Sequence, residues 1–445
     1  MKRSSHEAQR VEHPTRERSV PSELTTLTST FFQLAMREQQ HRNISRPLET
    51  IAAMLYYLLS TTVKVLVFAI VSYAGLLCLL TTNFFQSHAV YLHAFQMTGS
   101  KSLSIPEMFG FLRGQVTPFR IQSHGGNQLF AWHVLPIGLY LRNEAQLTNE
   151  SPGLTSDITS TVGFSLLRDD PDARLVLYFH GAGGNVGSGY RVPSYKALTA
   201  AQPDKIHVLT FDYRGFGRSQ GYPSEAGIIE DAISVVDWAL KEAAIPPSRI
   251  LIFSQSLGTA VNMAVAEHFA LSREPVTFAG HIMIAPFTDV PSLVTTYRIA
   301  GTVPLLSPVA RYPWLFDWLR SYIRDSWSTK SRIERYVRSQ EASGNKYRIT
   351  LLHAEDDYDI PWHHTPTLFW HAVNASRSQG MKRDELDVWK ADNRQDLGAA
   401  GFVSRWRTEN GLVSEHILKY GLHDVIMGNP IVTLAAMRIF DENSR

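Results

Sequence analysis

Within the 445 residues of this chain, the run Ser254-Gln255-Ser256-Leu257-Gly258 has the residue types and spacing best suited to covalent chemistry. It follows a β-branched, apolar stretch at 249–253 and leads into a helical sequence at 259–266. That context reads as a nucleophile elbow, a sharp strand-to-helix turn that lifts its central residue clear of the sheet. Only small residues are tolerated two before and two after it. Gly258 meets that demand, and Ser254 is small enough although glycine is the usual occupant. Ser256 could also do no more than cap the helix that follows, as serine often does.

A free serine is a weak nucleophile near neutral pH and needs a base oriented by a carboxylate. Four carboxylates, Glu355, Asp356, Asp357 and Asp359, crowd the end of the strand-like stretch 347–352, and one of them is the candidate acid. The others read as solvated loop charges. His423, in Tyr420-Gly421-Leu422-His423-Asp424, follows the stretch 415–419 and is the expected base, whereas His416 falls inside that stretch. The oxyanion formed on attack needs two pre-aimed N–H donors. The glycine-rich run His180-Gly181-Ala182-Gly183-Gly184-Asn185 is suited to supply one, and the donors are expected to be the N–H groups of Ala182 and Leu257. A phosphate-cradling role fails on detail, because Val186 stands where GxGxxG wants glycine and no Lys-Ser/Thr pair follows.

These residues must be held by strands ending at one edge. From about Gly163 the sequence alternates short β-branched runs (174–179, 207–211, 249–253, 281–284, 347–352 and 415–419) with helical stretches. This is the signature of βαβ units, a mainly parallel central sheet with helices on both faces. Between the second and third runs, Ile228, Ala232, Val235, Val236 and Ala239 recur at helical spacing behind Ser224 as N-cap.

Composition restricts the rest. With 43 basic and 41 acidic residues the net charge is +2, which gives no electrostatic footprint for nucleic acid. Cys78 is the single cysteine, so no intramolecular disulfide and no cysteine metal cluster can form. Residues 51–82 carry one charged side chain, Lys64, and read as a transmembrane segment centred on 57–80. A polar tail at 1–50 precedes it and a membrane-proximal linker at 83–128 follows. Eight Lys or Arg residues lie before Ile51, and Lys101 alone lies between 83 and 112. The tail is therefore expected to be cytoplasmic. The body, 129–445, would then face a lumen or the exterior, where Asn149 and Asn374 stand in glycosylation sequons; Asn43 would be on the wrong side.

The elbow, the glycine loop, the carboxylate cluster and the histidine, together with 129–136, 211–219 and 285–288, resemble the α/β-hydrolase superfamily. Within it they resemble membrane-anchored lipases with monoacylglycerol and lysophosphatidylserine lipase activity. The resemblance covers 129 to the C-terminus and departs at Ser254 and Gln255, where these lipases have Gly and His, and in the charged insertion 377–411. It implies the α/β-hydrolase fold, a cap at about 287–346, and Asp357, four residues before Pro361, as the acid. It further implies an acyl-serine mechanism on lipid acyl esters at the bilayer, in the endoplasmic reticulum membrane, with no cofactor. The aromatic run around Tyr312, Trp314, Phe316 and Trp318, with Val303 to Leu306, would either bind an acyl chain or pack the cap on the core. A protein-depalmitoylating thioesterase or a catalytically silent scaffold are the alternatives.

Overall fold

The structure is a computed structural model describing residues 22–299, 303–304 and 306–443. The first part of the tail, Leu305 of the aromatic and aliphatic run, and Ser444 and Arg445 lie outside the described residues. The chain divides into two compact units at Cys78 and Leu79.

Among the described residues the first unit is a helix, Ser22–Leu80. It therefore begins well inside the stretch read as a polar tail. Its Leu48–Leu80 part is 33 residues long with mean hydropathy 2.4, long and apolar enough to cross a membrane. Its leucines, valines and Phe68 are exposed on every side of the helix. A soluble helix would concentrate them on one stripe.

The second unit is built on a ten-stranded sheet in the order β1-β2-β4-β3-β5-β6-β9-β12-β11-β10. Its strands are β1 (Val116–Gln122), β2 (Gln128–Val134), β3 (Arg174–Phe179), β4 (Ile206–Phe211), β5 (Ile250–Gln255), β6 (Gly280–Ile284), β9 (Tyr347–Ala354), β10 (Gln395–Asp396), β11 (Gly401–Arg407) and β12 (Gly411–Leu418). A separate hairpin pairs β7 (Arg298–Ile299) with β8 (Val303–Pro304). The centre, from β4 through β12, is parallel, and both edges are antiparallel. All six strands expected from the sequence are present.

Period-two alternation sends each strand's side chains to two faces. Leu175, Leu177, Ile250 and Ile252 join one core with Ile228, Val235 and Val261 from the helices Glu225–Lys241 and Leu257–Ala270. Val176, Tyr178, Leu251 and Phe253 join the opposite core with Val192, Leu198, Ala436 and Ile439 from the helices Arg191–Ala201 and Pro430–Asn443. Helices thus cover both faces, and Ser224 caps its helix by accepting from Gly227 N.

Three expected boundaries are corrected. The hydrolase body does not start at 129: β1 lies within the expected linker, pairs in register with β2, and buries Phe119 and Ile121 in the core. The same linker holds the helix Asn83–Tyr91. The cap does not extend to 346, because the helix Thr329–Ser343 packs Ile333, Tyr336 and Val337 into the core and serves as the crossover from β6 to β9. The charged region 377–411 is no detached insertion, since β11 adds to β12 and the helix Arg383–Asn393 buries Leu386. Charge concealed this, because that helix presents Asp384, Glu385 and Asp387 to solvent while its one lysine, Lys390, turns inward to pair with the buried Glu415.

Ile252, in the middle of β5, is fully buried. Ile252→Ala is expected to cost about 2–5 kcal/mol through lost transfer energy and the cavity left behind. Denaturant unfolding of the wild type and the variant measures this directly.

Candidate active site

The turn after β5 holds Ser256 at φ 54°, ψ −123°, a conformation that L side chains rarely adopt. The strain is imposed from both sides. Ser256 N donates to Ile284 O at 2.9 Å, and the helix starting at Leu257 packs so close to β3 that a Cβ on Gly258 would collide with Phe179 O. Ser256 makes no side-chain cap bond to its helix, so capping does not explain the residue. Ser254 is accommodated where glycine is usual. Its buried hydroxyl donates to Ile282 O at 2.8 Å and accepts from Asn262 Nδ2 at 2.9 Å, so a polar atom inside the turn costs little.

The adjacent parallel strands β9 and β12 end in register, Ala354 opposite Leu418, and so bring the carboxylate cluster beside the histidine loop. Among the four carboxylates the geometry singles out Asp357. It is buried, its Oδ1 accepts from the backbone N–H groups of Asp359 and Ile360 at 2.9 Å each, and its Oδ2 accepts from His423 Nδ1 at 2.8 Å. His353 adds a second donor to Oδ2 at 3.2 Å. Its Nε2 also faces Ile360 O while its Nδ1 meets Thr365 Oγ1, so Nε2 carries the proton. Asp356 serves differently, accepting from Gly421 N at 3.0 Å and Leu422 N at 2.8 Å and so fixing the loop that presents His423. His416 lies inside β12, buried, with its pKa pushed down to about 3 by burial.

Burial alone would raise Asp357, but the hydrogen bonds from His353 and His423, with their charge, hold it well below the carboxylate range. Burial alone would lower His423, but the hydrogen bond and charge of Asp357, backed by Asp424 and Asp359, outweigh it and raise it above 6.5. With Nδ1 committed to Asp357, Nε2 is left as the basic atom. No hydrogen bond joins Ser256 Oγ to His423 among the described residues. Gln255 links the two neighbourhoods, donating to Asp424 Oδ1 at 3.1 Å and to His423 O at 3.4 Å while its side chain abuts Gly181.

The glycine loop after β3 comes within reach of Ser256. A Cβ on Gly181 would lie 3.1 Å from Ser256 Cβ. Ala182 N has no partner among the described residues, and Leu257 N is the first of its helix, where no intrahelical acceptor exists. The loop carbonyls are gathered on the other side by Arg191, a buried guanidinium that sequence reasoning did not flag. It donates to Asn185 O at 2.7 Å, Gly183 O at 2.8 Å, Gly181 O at 3.1 Å and Ala182 O at 3.3 Å. Gly181 C=O and Ala182 N–H belong to one peptide unit, so a cation on that oxygen polarises that donor. A second support comes from the chain following the helix Asn83–Tyr91: Gly183 N donates to Tyr91 O at 2.8 Å and Gly184 N to Phe95 O at 2.7 Å. Asn185 Nδ2 and Ser188 Oγ both reach Gln96 O.

The model of the Alpha/beta hydrolase family matches residues 176–424, more than half of the chain. The chain belongs to the alpha/beta hydrolase family. Lysophosphatidylserine lipase ABHD12 of Danio rerio is 28% identical over 59% of this chain and 60% of its own length. That of Rattus norvegicus is 32% identical over 42% of this chain and 43% of its own. The chain therefore spans roughly half the length of the curated relatives it matches. A solved alpha-beta hydrolase from Vibrio vulnificus covers 80% of this chain and 92% of its own, at 14% identity and a TM-score of 0.48. In this hydrolase chain, Asn185 and His423 both fall inside the matched region.

Hydrolysis that uses His423 Nε2 as base requires the neutral imidazole. Because its pKa is raised, the rate should fall as pH falls through a midpoint above 6.5. Asp357→Asn removes the raising partner, so the midpoint should move down and kcat should drop, by about 10⁴ in comparable triads. A kcat/KM against pH profile of both forms tests this. Arg191→Lys keeps the charge but not the four-way fork. It is expected to lower kcat by about 10²-fold, the scale of losing one oxyanion donor, with KM little changed.

Proposed function

We propose that this chain is a membrane-anchored serine hydrolase that cleaves acyl esters of membrane lipids such as monoacylglycerols or lysophospholipids. One observation carries the reading: the strained Ser256 stands at the end of β5 next to Gln255, which bonds to the backbone of a histidine held by a buried aspartate at 2.8 Å. As substrate enters, Ser256 Oγ comes to His423 Nε2, which takes its proton while Oγ attacks the ester carbonyl. The N–H groups of Ala182 and Leu257 receive the developing oxyanion, and Asp357 stabilises the imidazolium. The proton then passes from Nε2 to the leaving alkoxide, which departs as glycerol from a monoacylglycerol or as the glycerophosphoryl alcohol from a lysophospholipid. Water repeats the sequence on the acyl-enzyme, returning the fatty acid and free Ser256.

The lipid assignment is supported by the apolar helix Leu48–Leu80, which would hold the catalytic body at a bilayer, and by the lysophosphatidylserine lipase relatives. The excess of Lys and Arg before that helix supports a single pass with a cytoplasmic N-terminus and a lumenal body, in the endoplasmic reticulum.

Covalent labelling by a fluorophosphonate probe in membranes, on wild type and Ser256→Ala, tests the nucleophile. Labelling is expected to vanish in the variant while its thermal unfolding is unchanged. Persistent labelling would place the reactive serine elsewhere. Lysophospholipid and monoacylglycerol should then be hydrolysed faster than an S-acylated peptide; the reverse order would mark a depalmitoylating thioesterase.

A further inference from the structure

The aromatic run expected to line an acyl pocket or pack the cap does neither at its two tryptophans. On the helix Pro313–Arg320, Trp314 is 72% and Trp318 is 50% exposed, while Leu319 on the opposite side is buried. The two tryptophans are four residues apart and share one face. Trp318 stacks edge-to-face on the exposed Tyr322 at 5.1 Å, which holds part of this face in shape without solvent cover.

The helix Asn83–Tyr91 lies next to it. Gln86 Nε2 donates to Tyr322 O at 2.7 Å, and Arg324 N donates to Gln86 Oε1 at 3.3 Å. This helix and the turn behind it expose Phe84, Phe85, Phe95 and Met97. Phe84 and Phe85 directly precede Gln86, so this helix brings exposed apolar side chains to the junction with the segment that carries Tyr322. Arg311, Arg320 and Arg324 are exposed in the same segment and outnumber its one exposed carboxylate, Asp317, while Asp325 is taken up by Tyr91. Soluble surfaces rarely collect so many large apolar groups in one place. Tryptophan and tyrosine ringed by arginine favour the depth of lipid headgroups, where the ring is half-desolvated and the guanidinium meets phosphate. The chain itself argues for a bilayer as the occupant, because only Thr81 and Thr82 separate the end of the apolar helix at Leu80 from the helix that begins at Asn83.

We propose that this face, formed by the helix Pro313–Arg320, Tyr322 and the exposed Phe84 and Phe85 of the helix Asn83–Tyr91, is a docking surface for the headgroup layer of an anionic bilayer. It holds the catalytic body down on the membrane instead of leaving it to swing from its anchor. The proposal rests on the membrane-anchor reading above and deepens it.

The test uses the full chain in lipid nanodiscs of phosphatidylcholine with and without phosphatidylserine. In a Cys78→Ser background, Trp314→Cys carries an environment-sensitive fluorophore, and the quenchers are lipids brominated near the headgroup for positions 314 and 388 and lipids brominated in mid-chain for position 71. Val71→Cys on the apolar helix reports the anchor, and Val388→Cys, exposed on the helix Arg383–Asn393, serves as the reference. Quenching at position 314 several-fold above that at 388, and stronger with phosphatidylserine, is expected. Quenching at 71 with position 314 no better than 388 overturns the docking surface and leaves the anchor. Quenching at 314 without quenching at 71 sinks the anchor and sustains the surface. A 314 label shielded from aqueous iodide yet unquenched by lipid would mean a protein covers this face, and would overturn the proposal.

Discussion

The close approach of two backbones, the turn after β5 and the end of β3, is the constraint on which the site depends. A single Cβ at Gly258 would push them apart by colliding with Phe179 O. Only in that closed arrangement does Ser256 take its positive φ, and only there does Leu257 N start a helix facing the glycine loop. Strain at one residue costs of order 1–3 kcal/mol, and the packed strands and helices on both faces over-determine the turn enough to sustain it. The carbonyls turned away from the site would be a further cost were they buried unpaired. Arg191 gathers four of them, converting a loop of awkward backbone dipoles into a fixed arrangement.

The histidine side is built by a different logic. Here the loop is short, exposed in part, and held from below by acceptors: Asp356 takes two of its N–H groups, Gln255 bonds to Asp424 and to the carbonyl of His423, and Leu422 sits at φ 49° to turn the next residue inward. Asp357 has its Oδ1 occupied by two backbone donors, which leaves Oδ2 to two imidazoles, His423 Nδ1 at 2.8 Å and His353 Nε2 at 3.2 Å. The two halves meet through Gln255, one of the positions at which the chain departs from the lipases it resembles.

Fold class and the positions of Ser256 and His423 were legible because each stands just past a β-branched run, and period-two strands with glycine-rich ends leave few alternatives. The choice among Glu355, Asp356, Asp357 and Asp359 was not legible from composition alone. The four differ in burial and hydrogen-bond partners, which are properties of the packed loop; the resemblance, through the spacing to Pro361, named Asp357. Arg191 was invisible for a similar reason: a basic residue opening an amphipathic helix reads as solvated, and only the path of the loop around it shows otherwise. The boundary at β1 was missed because Val116–Gln122 contains Pro118 and Arg120, which weaken a strand pattern, yet its place at the sheet edge tolerates both.

The stitches from Gly183 to Tyr91 and from Gly184 to Phe95 bear on how a water-soluble form of this protein should be cut. The natural place to sever an anchor is somewhere in the stretch between the apolar helix and the first strand, and a cut near residue 100 would look harmless in the sequence. It would remove the acceptors for two loop N–H groups and the carbonyl of Gln96, leaving the glycine loop to relax while the sheet stays folded. Such a truncated form would behave as a well-formed protein with a slack site. The severing point that spares the loop lies before Asn83.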